Sequence, residues 1–251
     1  MGSIWLRVGA GVAMSILGCD MQLLSEVPSS VLAVFAHPDD AEIACGGTLG
    51  RWAAAGAVCR VVLCARGDKG SRALVSDPDQ FAATRRAEAS RAAGIVGTTL
   101  TFLGRDDGSL THESLLAELV SRIRRDKPDV VIGPDPTAVF FGSTYINHPD
   151  HRALGWALLD ALSPIAANPN YLPEHLGSHA VPLVLLAGTL EPDVGVDIST
   201  TLEHKVEAVL CHASQVRDPQ RLAAVVRQRA RDDGHACATT AAECFRQLNF
   251  S

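Results

Sequence analysis

The sequence predicts an α/β fold, a single domain in which a Rossmann-like, mostly parallel sheet carries helices on both faces. Short apolar runs rich in β-branched residues, such as 31–35 and 58–65, alternate with longer segments of helical periodicity. This alternation is typical of βαβ units, whose strands pair in parallel. The chain has 251 residues, of which 47% are hydrophobic, and this composition is enough for one large core.

The same patterns place the elements in order along the chain. Apolar runs predict strands at 31–37, 58–65, 98–103, 130–132, 181–187 and 194–198. Helical periodicity and capping signals predict helices at 41–55, 77–94, 112–127, from 201 onward and at 220–233. The charged residues Arg85 and Glu88 are interpreted as part of an exposed helix face, and Gly234 is expected to end the last helix.

A histidine and two aspartates follow the first strand, in the motif HPDD at 37–40. In open α/β sheets the ligand crevice lies beyond the carboxyl ends of the strands, so this motif stands where a site is expected. A related motif, HPDH at 148–151, occurs much later in the chain. One motif alone is equally compatible with a buried histidine and an aspartate that caps a helix. Two histidines and one aspartate from separate segments instead predict a facial triad around a divalent metal ion.

The two motifs belong to a set of four stretches. These are AHPDDAEIACGGTL at 36–49, RGDKG at 66–70, FLGRDDG at 102–108 and NHPDH at 147–151. Together they resemble the LmbE/PIG-L family of zinc-dependent N-deacetylases, and the resemblance covers nearly the whole chain from about residue 28. It implies an LmbE/PIG-L-like deacetylase domain at 28–251 after an N-terminal extension at 1–27, with one zinc ion per chain.

The resemblance assigns roles within the first motif and at the end of the second. His37, Asp40 and His151 are expected to bind the zinc ion, which suits such nitrogen and oxygen ligands. Zinc lowers the pKa of a bound water to about 7 and so makes a nucleophile available at neutral pH. Asp39 is the expected general base, which deprotonates that water and later protonates the leaving amine.

The other polar site residues are expected around this centre. His148, as an imidazolium, is expected to stabilise the oxyanion, and Asp150 is expected to favour the charged form of His148 without binding the metal itself. Because the RGDKG loop resembles the substrate-contacting loop of the family, Arg66 and Asp68 are expected to bind sugar hydroxyls. A simple solvated turn is the alternative for that loop. Asp106 and Asp107 are interpreted as turn residues.

An irregular stretch at 134–147 precedes the second motif and contains Phe140, Phe141 and Tyr145. Loops of this length in compact domains are usually functional. We expect these rings to form a wall that packs against the sugar or the group attached to it. The alternative is that they form a small core of the loop itself.

The expected activity is removal of the acetyl group from an N-acetylglucosamine-type sugar. Among the substrates of the family, a bacterial natural product, such as a glycopeptide or aminoglycoside antibiotic, or a thiol glucosaminide is expected, because no transmembrane anchor is apparent in the sequence. Three alternatives stay open: an amidase of thiol-glucosaminide conjugates, a non-haem Fe(II) enzyme and a non-catalytic sugar-binding module. His212 lies in a KxxAxxxHxSQ pattern that resembles relatives, and it is interpreted as a residue that orders the fold.

The composition of the chain limits the classes of binding partner and the cellular compartment that are expected. A net charge of −6 without a basic tract argues against nucleic acid, so the expected partner is a small molecule, and a homo-oligomer stays open. Seven cysteines without CxxC spacing are typical of buried thiols in a reducing cytoplasm. The apolar stretch within 1–19 is too short to span a bilayer, which leaves an extension packed on the domain as the expectation and an export signal as the alternative.

Overall fold

The computed structural model describes residues 21–71, 73–174 and 177–250. The described strands are β1 (Gln22–Leu23), β2 (Ser30–Phe35), β3 (Val58–Ala65), β4 (Thr99–Arg105), β5 (Val130–Pro134), β6 (Phe140–Phe141), β7 (Tyr145–Ile146), β8 (Leu183–Ala187), β9 (Val194–Asp197) and β10 (Ala242–Asn249). The described helices are α1 (Asp40–Ala54), α2 (Pro78–Val96), α3 (His112–Asp126), α4 (Pro149–Asp160), α5 (Leu202–Leu210) and α6 (Pro219–Ala236). A π-helical turn, Ala161–Ala166, follows α4.

The strands build one large sheet in the order β1-β9-β10-β8-β5-β2-β3-β4. Each neighbouring pair is parallel except the two pairs that involve β10, which runs antiparallel between β8 and β9. The predicted mostly parallel sheet is therefore confirmed. Strand β10 was not predicted, because Ala242–Asn249 mixes Glu, Arg and Gln with its apolar residues and lacks an apolar run such as that of β2.

Side-chain alternation along β2 creates a core on each face of the sheet. Val31, Ala33 and Phe35 pack into one cluster with residues of α1, α2, α5 and α6. Leu32 and Val34 point to the opposite face and pack with residues of α3 and α4. Successive side chains of a strand point to opposite faces, so a strand buried on both sides is apolar throughout. The helices on both faces agree with the predicted fold class.

The order of the strands creates a crevice at β2. The chain continues from β2 to β3 and β4 on one side, whereas β5 pairs with the other side of β2. Such a reversal of strand order is a topological switch point, and ligands bind outside the carboxyl ends of the strands there. The HPDD motif follows β2, and the HPDH motif follows β5 by way of a hairpin.

The N-terminal extension and the end of α6 differ from what the sequence predicts or lie partly outside the described residues. Residues 1–20 of the expected N-terminal extension lie outside the described residues, and Gln22–Leu23 from its last part pairs with β9 as an edge strand. The expectation that Gly234 ends the last helix is wrong, since α6 continues to Ala236. A side chain at Gly234 would come within 2.8 Å of the backbone of Ala241, so glycine is needed there for close packing.

No helix within 21–71, 73–174 and 177–250 is both long enough and apolar enough to cross a membrane.

Candidate active site

The HPDD turn brings three ionisable side chains into a buried position directly after β2. Asp39 precedes α1 with a φ of 108°, a conformation that is uncommon for a residue with a Cβ. The side chain of Asp40 accepts a hydrogen bond from the backbone N–H of His37 at 2.8 Å. His37, Asp39 and Asp40 are each less than 8% exposed. The turn thus holds a strained backbone in a fixed shape, as is common at functional sites.

The HPDH motif forms the first turn of α4. Pro149 is the first helical residue, where its missing N–H costs no hydrogen bond. His148 caps this helix, and its Nδ1 accepts a hydrogen bond from the backbone N–H of Asp150 at 3.3 Å. His151 is the third residue of the helix and is 1% exposed. The helix start therefore points His151 into the crevice and fixes the ring of His148.

Three ligand atoms from the two motifs converge on one point. His37 Nδ1 lies 3.2 Å from His151 Nε2, and Asp40 Oδ2 lies 3.0 Å from His151 Nε2 and 3.4 Å from His37 Nδ1. Ligands at about 2.0–2.1 Å from a tetrahedral zinc ion are roughly 3.3 Å apart. The separations and the chemistry of these donors therefore fit a divalent cation. The structure brings together the three residues that the sequence predicted as ligands.

The other ring nitrogen of His37 faces two carboxylates. His37 Nε2 lies 3.0 Å from Asp107 Oδ1 and 3.1 Å from Asp150 Oδ2. A histidine that binds a metal through one nitrogen commonly donates its other N–H to a carboxylate, which fixes the ring and its tautomer. Asp107 is 8% exposed and belongs to the site. Its interpretation as a turn residue was incomplete.

Asp107 is held by the loop that follows β3, and Asp150 is held by the loop that follows β4. Asp68 Oδ1 accepts a hydrogen bond from the Asp107 N–H at 2.9 Å, and Lys69 Nζ donates to the Asp107 carbonyl at 2.6 Å. Asp150 accepts from the N–H groups of Gly108 and Leu110 at 2.7 Å and 3.1 Å. Asp150 is closer to His37 than to His148, from whose Nδ1 it lies 3.9 Å. Its carboxylate therefore pairs with His37 rather than with His148 as expected.

The pKa values of the two neighbouring aspartates move in opposite directions. Burial raises the pKa of Asp39 to about 6, and the positive charge of Arg85 opposes this rise. For Asp40, burial also raises the pKa, but the nearby His151 and His37 outweigh it and hold the pKa well below its usual range. A carboxylate pair with separated pKa values can divide its roles between proton transfer and cation binding.

His148 differs from the sequence expectation of an imidazolium. Burial lowers its pKa first, and the positive charges of His37 and His151 lower it further, against the opposite effect of Asp150 and Asp107. Asp150 therefore acts in the expected direction but does not dominate. Because His148 Nδ1 accepts a backbone hydrogen bond, the neutral ring carries its proton on Nε2. The ring is then a neutral hydrogen-bond donor through Nε2.

The expected sugar-binding residues lie in two different environments. Arg66 is one-third exposed at its side chain and pairs with Asp79 at 2.6 Å and with Asp106 at 2.9 Å. Asp68 is 3% exposed and is used to hold the loop of Asp107. Arg66 is accordingly the more accessible of the two, and contact of either residue with a sugar stays a prediction.

The aromatic stretch before the second motif forms a hairpin of β6 and β7, a regular element that the sequence analysis did not predict. Phe141 faces inward and is 6% exposed, and its ring lies 6.1 Å from that of Tyr145. Phe140 faces outward, is 64% exposed and stands opposite the exposed Ile146 on the neighbouring strand. Of the three aromatic residues, Phe141 and Tyr145 thus match the alternative of a small local core, and Phe140 is available for contact.

Arg85 is a site residue that sequence reasoning missed. It was interpreted as part of an exposed helix face, but it is 3% exposed, and its Nη2 lies 3.3 Å from Asp39 Oδ1. Glu88 is likewise 3% exposed and accepts hydrogen bonds from the backbone and hydroxyl of Ser214. No local pattern marks these two residues as buried, because charged residues three positions apart are equally usual on an exposed helix face.

Comparison with known proteins agrees with this arrangement. The family model described as GlcNAc-PI de-N-acetylase matches residues 32–162, a span that includes both histidine motifs. The chain belongs to the LmbE/PIG-L family. This family contains N-deacetylases, which are amide hydrolases, and the HPDD and HPDH motifs of this chain lie where its fold forms the switch-point crevice.

Three relatives illustrate the similarity. The diacetylchitobiose deacetylase of Thermococcus kodakarensis is 32% identical over 191 residues, which are 74% of this chain and 69% of that protein. A 1D-myo-inositol 2-acetamido-2-deoxy-alpha-D-glucopyranoside deacetylase of Saccharopolyspora erythraea is 31% identical over 57% of this chain and 59% of its own length. The structure of N,N'-diacetylchitobiose deacetylase from Pyrococcus horikoshii superimposes with a TM-score of 0.79 at 27% identity, covering 88% of this chain and 84% of that chain.

Proposed function

We propose that this protein is a zinc-dependent N-deacetylase that hydrolyses the acetamido group of an N-acetylglucosamine-type sugar. The observation that carries the proposal is the convergence of His37, Asp40 and His151, whose ligand atoms lie 3.0–3.4 Å apart beside Asp39 and His148. Relatives named as deacetylases of acetylated glucosamine derivatives support the substrate class.

The metal centre consists of His37, Asp40 and His151, with one ion per chain. A bound divalent cation supplies a Lewis acid that polarises the amide carbonyl and lowers the pKa of a water. Asp107 and Asp150 hold the ring of His37 through its Nε2, which leaves Nδ1 available as a ligand atom.

Two residues of this chain handle the charges of the reaction. Asp39 accepts the proton of the attacking water and returns it to the leaving amine, for which a pKa near 6 is suitable. His148 donates its Nε2–H to the oxyanion, and the hydrogen bond from the Asp150 N–H to Nδ1 keeps the ring in that tautomer. Removal of one such oxyanion donor typically costs about 3–4 kcal/mol of transition-state stabilisation.

The group attached to the sugar is proposed to be part of a bacterial natural product or a thiol glucosaminide. Phe140 and Ile146 form an exposed apolar pair on the hairpin that leads directly into His148. This position suits contact with a substituent that extends beyond the sugar ring. Arg66, with its partly exposed guanidinium, is the proposed hydrogen-bond partner of the sugar hydroxyls, and Asp68 supports it from the loop.

The proposed activity is tested with zinc-loaded protein and a panel of acetylated sugars: N-acetylglucosamine, diacetylchitobiose and an inositol N-acetylglucosaminide. Release of free amine is measured, together with the metal content of protein purified without added metal. Asp39→Asn is the matched control, which should bind metal but release amine at a much lower rate. Absence of amine release from the whole panel, or equal release by Asp39→Asn, would contradict the proposal.

A further inference from the structure

Helix α1, which begins with Asp40, is broken one turn after its start. Cys45 has a φ of −147° and a ψ of 21°, which are not helical values. In an uninterrupted α-helix each N–H donates to the carbonyl four residues earlier, so Gly47 would donate to Ile43 and Thr48 to Ala44. A break at Cys45 therefore separates donors and acceptors that a continuous helix would pair.

A buried ion pair occupies this break. Glu243 Oε1 accepts from the Gly47 N–H at 2.9 Å, and its Oε2 accepts from the Thr48 N–H at 2.7 Å. Lys205 Nζ donates to the Ile43 carbonyl at 2.8 Å and also pairs with Glu243. The carboxylate thus takes the donor, and the ammonium takes the acceptor, of one helical hydrogen bond. A side chain that inserts into the hydrogen-bond ladder is a known cause of a sharp helix kink.

Both members of the ion pair are buried, and both satisfy backbone groups at the break. Lys205 is 6% exposed and Glu243 is 3% exposed, and they come from α5 and β10, both far along the chain from α1. A buried ion pair often contributes little net stability, because desolvation of both charges opposes their attraction. Here the charges also satisfy backbone groups at a break, which an apolar pair would leave without partners.

The kink separates the Asp40 carboxylate from the rest of α1. The turn before it, Asp40–Ala44, carries the Asp40 carboxylate and reaches the core through Ala41, and the helix after it packs into the same core through Leu49 and Trp52. Gly47 is held closely there, since a Cβ at Gly47 would lie 2.7 Å from Ile198, and its carbonyl accepts from Thr201 Oγ1 at 2.8 Å. The break therefore lies between the Asp40 carboxylate and the closely packed part of α1 that contains Gly47.

We propose that Lys205 and Glu243 are positioning residues that hold the first turn of α1 at the angle required for metal binding by Asp40. This inference rests on the proposed metal site and assigns a role to two residues that do not touch it. Loss of supporting contacts around a metal ligand typically weakens metal affinity 10- to 100-fold. Glu243→Gln and Lys205→Met are expected to raise the metal dissociation constant by about that factor.

The experiment measures the zinc dissociation constant by competition with a chelator, at a temperature far below thermal unfolding. Glu243→Gln retains one acceptor oxygen and is the milder change, so it carries the test if Lys205→Met does not fold. Glu203→Gln is the matched control, because Glu203 lies on the same helix α5 and pairs with Arg227 at 2.6 Å on the surface. The control is expected to keep the wild-type dissociation constant.

A charge-swapped double variant, K205E with E243K, separates the two possible roles of the pair. The swap restores the ion pair, but a carboxylate cannot donate to the Ile43 carbonyl and an ammonium cannot accept from the Gly47 N–H. Continued weak zinc binding by the swap is therefore expected, and restored wild-type affinity would overturn the assignment.

The remaining outcomes distinguish this inference from the proposed function. If wild-type protein binds zinc and both single variants bind it within twofold of wild type, even with lower melting temperatures, the positioning role is wrong. If the wild-type protein binds no divalent ion, the proposed function fails and the positioning role fails with it.

Discussion

Arg85 Nη2 lies 3.3 Å from Asp39 Oδ1 and also donates to the carbonyl of Pro38, the residue before Asp39. Nη1 of the same guanidinium donates to the carbonyl of Gly67 at 3.1 Å, so Arg85 joins α2 to two loops of the crevice. A Cβ at Gly67 would lie 2.1 Å from Arg85 Nη1, which explains glycine at this position. Because Asp39 has a φ of 108°, its strained backbone depends on such contacts.

Arg85→Met is predicted to lower kcat by roughly 100-fold, because displacement of a catalytic group by about 1 Å has an effect of that size. The zinc content is expected to stay near one per chain, since Arg85 does not contact the three proposed ligands. The measurement is steady-state kinetics with metal analysis of the same sample. Arg86→Met is the control, because the neighbouring Arg86 is exposed and lies over the ring of Phe102. Wild-type kcat in Arg85→Met would show that Asp39 does not need this contact.

The proposed ligand set predicts that His151 and His148, which belong to the same motif, differ in their effect on zinc binding. Asp40→Asn and His151→Gln should lose most bound zinc, since each replaces one of three ligand groups whose atoms lie 3.0–3.4 Å apart by a weakly binding neutral amide. His148→Ala should keep zinc but lose activity by about 100- to 1,000-fold, because it removes an oxyanion donor. Zinc per chain is measured after dialysis. Full zinc retention with unchanged affinity in Asp40→Asn would disprove the ligand assignment.

The sequence was informative where a local pattern determines the structure. The strand at 58–65 was predicted with its observed bounds, because its apolar run, interrupted only by Arg60, is typical of a strand covered on both faces. The convergence of His37 with His151 was also predictable, since both motifs follow strands and the carboxyl ends of parallel strands share one edge.

Contacts between distant segments were not predictable in this way. Arg85 and Glu243 are charged residues of the kind usually found on the surface. Only the assembled fold shows that each forms hydrogen bonds with backbone groups of another element. The hairpin of β6 and β7 was missed because its strands have two residues each, which is too short for a periodic pattern. Asp107 was recognisable in principle, since it follows β4 as His37 follows β2.

The positions of Phe140 and Phe141 in the hairpin predict different effects of their substitution on activity and stability. Phe140→Ala should selectively lower kcat/KM for a substrate with an apolar substituent, by roughly fivefold if about 1 kcal/mol of ring burial is lost. Phe141→Ala, a buried residue, should instead lower stability and reduce kcat/KM equally for tailed and untailed sugars. Both variants are compared on N-acetylglucosamine and on an alkyl N-acetylglucosaminide. An equal loss on both substrates for Phe140→Ala would exclude contact with the substituent.

His212 provides a prediction on pH and stability that is independent of catalysis. It is 1% exposed, and its Nε2 lies 3.3 Å from Glu42 Oε2. Burial lowers its pKa, but attraction to Glu42 and to Asp39 outweighs burial and the opposing charge of Arg85, so the pKa is raised above 6.5. This buried pair agrees with the interpretation of His212 as a residue that orders the fold.

A pKa that is higher in the folded state means that folding favours the protonated form of His212. The stabilisation by this pair is therefore complete below pH 6.5 and is lost as the pH rises through the higher folded pKa. The free energy of unfolding of wild type and His212→Gln, measured by urea titration at equal metal loading, should differ most near pH 6 and progressively less at alkaline pH. His235→Gln, at an exposed position on α6, is the control and should show no such trend. A difference between wild type and His212→Gln that grows with pH would mean that folding instead favours neutral His212.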